Sequence, residues 1–212
     1  MRRIVILILT ATTLALATWA TATAAAPRPD AHDRALVHQL AAKVAGFQAV
    51  AKASGSSSSV ESDLKKCPAF KKDPSKALGA VFALLPALLI DVVNQYKPQL
   101  TDLHTTASRM RPDAPVFRTW LTAETQSLGL LLKFDNHGKK IDYCKAAQVM
   151  LDKKSTAADI RAVLGVDPAL IATLFGSGSS KINTTLTRLK PQMIAFFVAA
   201  GLSKKTATAL VD

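Results

Sequence analysis

Two cysteines, four histidines and one isolated aspartate are the side chains best equipped for chemistry in this 212-residue chain. Cys67 and Cys144 are the only cysteines, so a single internal pairing exists and a four-cysteine zinc site is excluded. Neither lies in a Cys-x-x-Cys motif, the usual setting of a redox pair. The pattern therefore predicts one structural disulfide, tying a polar loop around Cys67 to a helix start at Cys144. The histidines are His32, His38, His104 and His137. Metal ligands on a helix need spacings of three or four to point one way. His32 and His38 fall on opposite faces, no glutamate adjoins any histidine, and no metal or other cofactor is expected.

Asp91 follows the uncharged run Ala77–Ile90. Buried there, it would need a partner or a raised pKa, as catalytic carboxyls often have. Asn94 and Gln95 one turn on offer a plainer account, a polar stripe shared by all three. An enzymatic site would have to be assembled from separated residues such as Asp91, His104 and Tyr143. Glu61 and Glu124 are the only glutamates and nothing pairs them, so a glycosidase-type carboxylate pair cannot be assigned. Gly176-Ser177-Gly178-Ser179-Ser180-Lys181 lacks the Walker spacing and a preceding strand, and reads as an interhelix linker. No Gly-x-Ser-x-Gly elbow occurs. Asn183-Thr184-Thr185 matches a glycosylation sequon.

Lys65, Lys66, Lys71, Lys72 and Lys76 bracket Cys67-Pro68-Ala69-Phe70. Such a cluster suits an anionic surface, either lipid or cell-wall polymer. Phe70 is its one aromatic, so base stacking, and with it specific nucleic-acid binding, is not expected.

These residues need a scaffold, and the composition says which kind. The chain carries 27 Lys+Arg against 15 Asp+Glu, a net charge of +12, and 49% of its residues are hydrophobic. That is enough for a core and excludes global disorder. Ala and Leu outnumber Val and Ile, which favours helices over strands. Met1–Ala24 has a basic head, an apolar run and a small-x-small end at Ala22-Thr23-Ala24, the pattern of a secretory signal peptide. Residues 25–212 are then the secreted helical domain. An uncleaved anchor is the competing reading, weakened by the Thr and Ala of the second half.

Apolar residues recur at steps of three and four over Ala31–Ala53, and Asp30 or Asp33 is placed to cap that helix. A long helix starting near Ser75 carries the seam Leu78, Phe82, Leu85, Leu89, Val92, Tyr96, Leu100 and Leu103. Its first half is apolar all round and is expected to be the central core helix, kinked at Pro86 and Pro98. A third helix holds Phe117, Trp120, Leu121, Leu128 and Leu131, and ends at Asp135-Asn136-His137-Gly138. Shorter helices follow over Ile141–Asp152, to Leu164 and over Pro168–Phe175, before a last one over Lys181–Leu202. The expected fold is all-α: a single-domain bundle of about six helices around a central apolar helix, with one disulfide. The expected function is non-catalytic binding of a partner or an apolar small molecule. A small extracellular enzyme and a membrane-active helical protein are the alternatives.

Overall fold

The computed structural model describes residues 28–53, 64, 67–71, 80, 82–175 and 177–211. Met1–Ala24, read above as a signal peptide, the serine tract after Gly55, and Lys65, Lys66, Lys72 and Lys76 lie outside the described residues. Every regular element among the described residues is helical. The chain divides into two compact units, each assembled from separated stretches.

The first unit comprises Gly55–Lys97 and Leu130–Gly178. It holds the short helix α2 (Pro68–Lys71) and the first half of α3 (Leu85–Arg109). It also holds α5 (Tyr143–Leu151), α6 (Ala157–Leu164) and α7 (Pro168–Phe175). Leu84, Leu89, Ile90 and Val93 are fully buried, as the apolar run predicts. Phe82 departs from the predicted seam: α3 begins only at Leu85, and Phe82, ahead of it, is 67% exposed. Pro86 is accommodated in the first turn of α3, where its missing N–H costs nothing. Pro98 lies inside the helix, and Tyr96 two residues earlier leaves helical geometry (φ −113°, ψ 16°). That break is the expected response to a ring that displaces the preceding turn.

The three short helices have local causes. Asp142 caps α5 by accepting from the Lys145 N–H at 3.1 Å. Thr156 and Asp159 form a reciprocal capping box on α6. Gly165 ends α6 in the left-handed region, φ +74°. Asp167 accepts from the Ala169 N–H at 3.0 Å, and Pro168 fills the first position of α7.

The second unit comprises residues 2–54, 98–129 and 179–212. Its helices are α1 (Ala31–Ala53), the second half of α3, α4 (Pro115–Leu132) up to Gly129, α8 (Ser177–Ala199) from Ser179 on and α9 (Lys204–Val211). Asp30 is the cap of α1, accepting from the Asp33 N–H at 2.7 Å. The core packs Val37 and Leu40 of α1 with Phe117, Trp120 and Leu121 of α4 and with Met193, Phe196 and Phe197 of α8. Phe117 is its centre, stacked on Phe196 at 5.0 Å and edge-on to Phe197 at 5.8 Å. Two expectations are corrected here. Ser177–Ser180 is the first turn of α8 and not a linker. A further helix, α9, follows the chain reversal at Gly201 and buries Ala207.

Candidate functional site

One face of α3 in the first unit carries Asp91, Asn94 and Lys97 at three-residue steps, and each meets a partner in the segment 135–143. The Tyr143 hydroxyl donates to the Asp91 carboxylate. Asn94 Nδ2 donates to Asn136 Oδ1 at 2.6 Å. Lys97 is ion-paired with Asp135. The sequence reading of a polar stripe through Asp91 and Asn94 matches this face; Gln95 points to solvent.

The electrostatics follow from the partners. Burial raises the Asp91 pKa, and the hydrogen bond from Tyr143 partly opposes it. The bond from Lys97 holds Asp135 below the ordinary carboxylate range, helped by the His137 backbone N–H at 2.9 Å. Asn136 is the buried keystone of the loop, 2% exposed. Besides accepting from Asn94, it donates to Lys139 O at 3.0 Å and to Leu164 O at 3.2 Å, one of the carbonyls that α6 leaves open at its end. His137 and Gly138 take left-handed backbone conformations, φ 60° and 72°, and turn the chain so that Asn136 faces inward. A side-chain carbon at Gly165 would sit 3.1 Å from Asn136 Cβ, so this close approach needs glycine as much as the turn does.

Of the residues considered for an assembled catalytic site, Asp91 and Tyr143 come together and His104 does not join them. His104 belongs to the second unit, over Gly129. Cys67 and Cys144 stand at disulfide distance, Cα–Cα 5.7 Å, within the first unit. Of the lysine cluster only Lys71 is described, at the end of α2. Among the described residues no group of His, Cys, Asp and Glu is placed to hold a metal ion.

Three polar groups of the second unit, named above for other reasons, are buried in ways the sequence reading did not anticipate. Burial alone pushes the Glu124 carboxyl on α4 up to about 7. Its signal was there: Glu124 falls on the same stride as Phe117, Trp120, Leu121 and Leu128. The Trp120 indole N–H, one turn earlier, is buried without an acceptor. Asp33 is 2% exposed and lies near Asp113, with its Oδ1 buried without a donor among the described residues. Desolvation and the neighbouring Asp30 and Asp113 charges raise its pKa.

The largest mismatch between composition and burial is α7. Every residue of Pro168–Phe175 except Thr173 is apolar, yet none is buried. Leu170, Ile171 and Leu174 are partly covered, and Phe175 is 50% exposed.

No protein-family model matches the chain, and no curated protein or solved structure does. The functional reading therefore rests on these residues alone.

Proposed function

We propose that this protein is a secreted, non-catalytic binding module that holds an apolar small molecule against α7. The observation that carries the reading is the apolar helix without a buried residue. An eight-residue helix is too short to be stable by itself. Leaving its apolar face part-covered forgoes burial worth about 25 cal/mol per Å². A ligand that covers Leu170, Ile171 and Leu174 recovers that free energy. The part-covered face of so short a helix offers a small apolar area, which suits a small molecule better than a protein surface. Support for a binding role over catalysis comes from the α3 stripe, whose Asp91, Asn94 and Lys97 are engaged by neighbours in the fold.

Secretion is supported by the signal-peptide pattern of Met1–Ala24, and the mature domain is then residues 25–212. A cysteine pair at bonding distance fits a compartment where disulfides persist. Lys65, Lys66, Lys71, Lys72 and Lys76 supply a basic segment for weak adhesion to an anionic surface.

Native mass spectrometry of protein purified from its secretion medium tests the reading. The expected result is an added mass that is lost on denaturation, and lost from the Ile171→Gln/Leu174→Gln variant. Ligand-free protein, or a ligand retained equally by that variant, overturns it. Among the described residues no helix is long and apolar enough to cross a membrane.

A further inference from the structure

In the second unit the buried Asp33 near the start of α1 lies near Asp113 in the turn between α3 and α4. Exposed arginines lie on both of these segments. Arg28 and Arg34 flank Asp33, while Arg109, Arg111 and Arg118 frame the turn. Among the described residues none of the five forms an ion pair, although Asp30, Asp33 and Asp113 lie on the same two segments. Asp30 is used as a helix cap and Asp33 is buried, which leaves Asp113 as the one exposed local counter-charge not used in a cap.

Two of the arginines are held in place. Arg111 Nη1 donates to Ser108 O at 2.6 Å and to Met110 O at 2.7 Å. Arg118 donates from Nε to Pro112 O and from Nη2 to Asp113 O, both at 3.2 Å. A guanidinium has five N–H groups, so each keeps donors for a ligand while its position is already fixed. Two further cations of the unit, Lys204 and Lys205, lie on α9. His38, exposed one turn beyond Arg34, lies over Gly201, with 3.5 Å between its Nε2 and the position of a Cβ there. Lys204 and Lys205 follow three and four residues later, both exposed.

We infer that this arginine-rich part of the second unit is a binding site for an anionic polysaccharide bearing sulfate, phosphate or carboxylate groups. Arginine forks recognise such oxyanions in a bidentate way that lysine cannot. The surroundings discriminate among polyanions. Single-stranded nucleic acid is gripped without sequence preference by aromatic platforms, and the aromatics of this unit's core, Phe117, Trp120, Phe196 and Phe197, are all buried. An interfacial membrane site pairs its cations with exposed aromatic or leucine side chains, and the one exposed large hydrophobic among the described residues of this unit is Val198. A sugar polymer needs neither. The inference is independent of the apolar site on α7.

Heparin is the probe, with affinity measured across a salt series on the full secreted chain. Arg28→Gln/Arg34→Gln/Arg109→Gln removes three side chains that make no bond in the fold, and circular dichroism confirms the helices are kept. Three lost contacts should flatten the slope of log K against log salt by about two, by counterion release. The Arg→Lys version of the triple variant should keep the slope and lose affinity several-fold. As a matched charge control, Lys133→Gln/Lys139→Gln/Lys140→Gln in the first unit should bind as the parent does. An unchanged slope in the arginine variant overturns the inference, as does an equal loss in the lysine control. Tighter binding to single-stranded DNA or to phosphatidylserine vesicles than to heparin at the same salt would also overturn it.

Discussion

The Glu124 carboxyl has no donor and no cation acting on it, and this makes the second unit's stability depend on pH. Its pKa in the fold is about 7 against an ordinary 4.5. The folded state thus holds this proton more tightly than the unfolded chain does. The sign follows from linkage: stability is fully present below about 4.5 and is lost as pH rises to about 7. A gap of that size corresponds to at most about 3 kcal/mol, and partial solvent access makes the real figure smaller. Glu124→Gln removes the penalty. Urea melts should show parent and variant nearly equal at pH 4 and the variant more stable by about 2 kcal/mol at pH 8. Equal stability at pH 8 would mean that the carboxyl is solvated. Asn136 is the other residue on which much depends. Asn136→Ala leaves the buried Leu164 O and the part-buried Lys139 O and Asn94 amide without these partners. Each buried group left unpaired costs about 1–3 kcal/mol, so a loss of about 3 kcal/mol in a denaturant melt is expected, against less than about 0.5 for exposed Gln95→Ala.

Helix ends and helix interiors make separate predictions. Gly165→Ala places a β-carbon at φ +74° and 3.1 Å from Asn136 Cβ. Strain and crowding together should destabilise by about 1–3 kcal/mol, more than the roughly 1 kcal/mol expected for Thr156→Ala at the other end of α6. If the glycine variant melts with the parent, the turn is not fixed as described. On α3, Ile90→Ala should cost about 2–5 kcal/mol through lost burial and a cavity, whereas Leu85, only partly buried, should cost less. These elements also show how far the sequence could be read. Ala31–Ala53, Pro168–Phe175 and the Asp167 and Gly165 signals were legible because stride and cap chemistry are local. Phe82 was misjudged because the seam ran across the turn at Leu84, which separates the helical residues Phe82 and Ala83 from α3. Ser177–Ser180 looked like a linker because glycine and serine weaken a helix only slightly at its first turn, where chain ends already lack partners. The pairing of Asp91 with Tyr143 was not legible at all. It joins residues 52 positions apart, and no periodicity encodes which distant segment meets which.

At the scale of the whole molecule, the chain passes between its two units, among the described residues, at 97/98, 129/130 and 178/179. Each of these passages has a glycine or a proline on one side: Pro98, Gly129 and Gly178. Helix propensity is weakest at these residues, so the sequence marks the passages itself. Cys67 and Cys144 both belong to the first unit, 77 positions apart. A bond closing a loop of that length restricts the unfolded chain by about 4 kcal/mol in the chain-entropy account. Its effect should therefore fall on the first unit, and the aromatic residues allow that to be seen. Tyr96 and Tyr143, the only two tyrosines, lie in the first unit. Of the two tryptophans, Trp120 lies in the core of the second and Trp19 lies outside the described residues. In a Trp19→Phe chain, tyrosine absorbance reports one unit and tryptophan fluorescence the other. Unreduced protein should show no thiol that labels under denaturing conditions. Reduction and alkylation should then shift the tyrosine-detected transition down by several degrees and leave the tryptophan-detected one nearly in place. Two readily labelled thiols before reduction would remove the bond. Equal shifts at both probes would mean that the passages through α3 and α4 transmit the loss, and that the two units unfold as one.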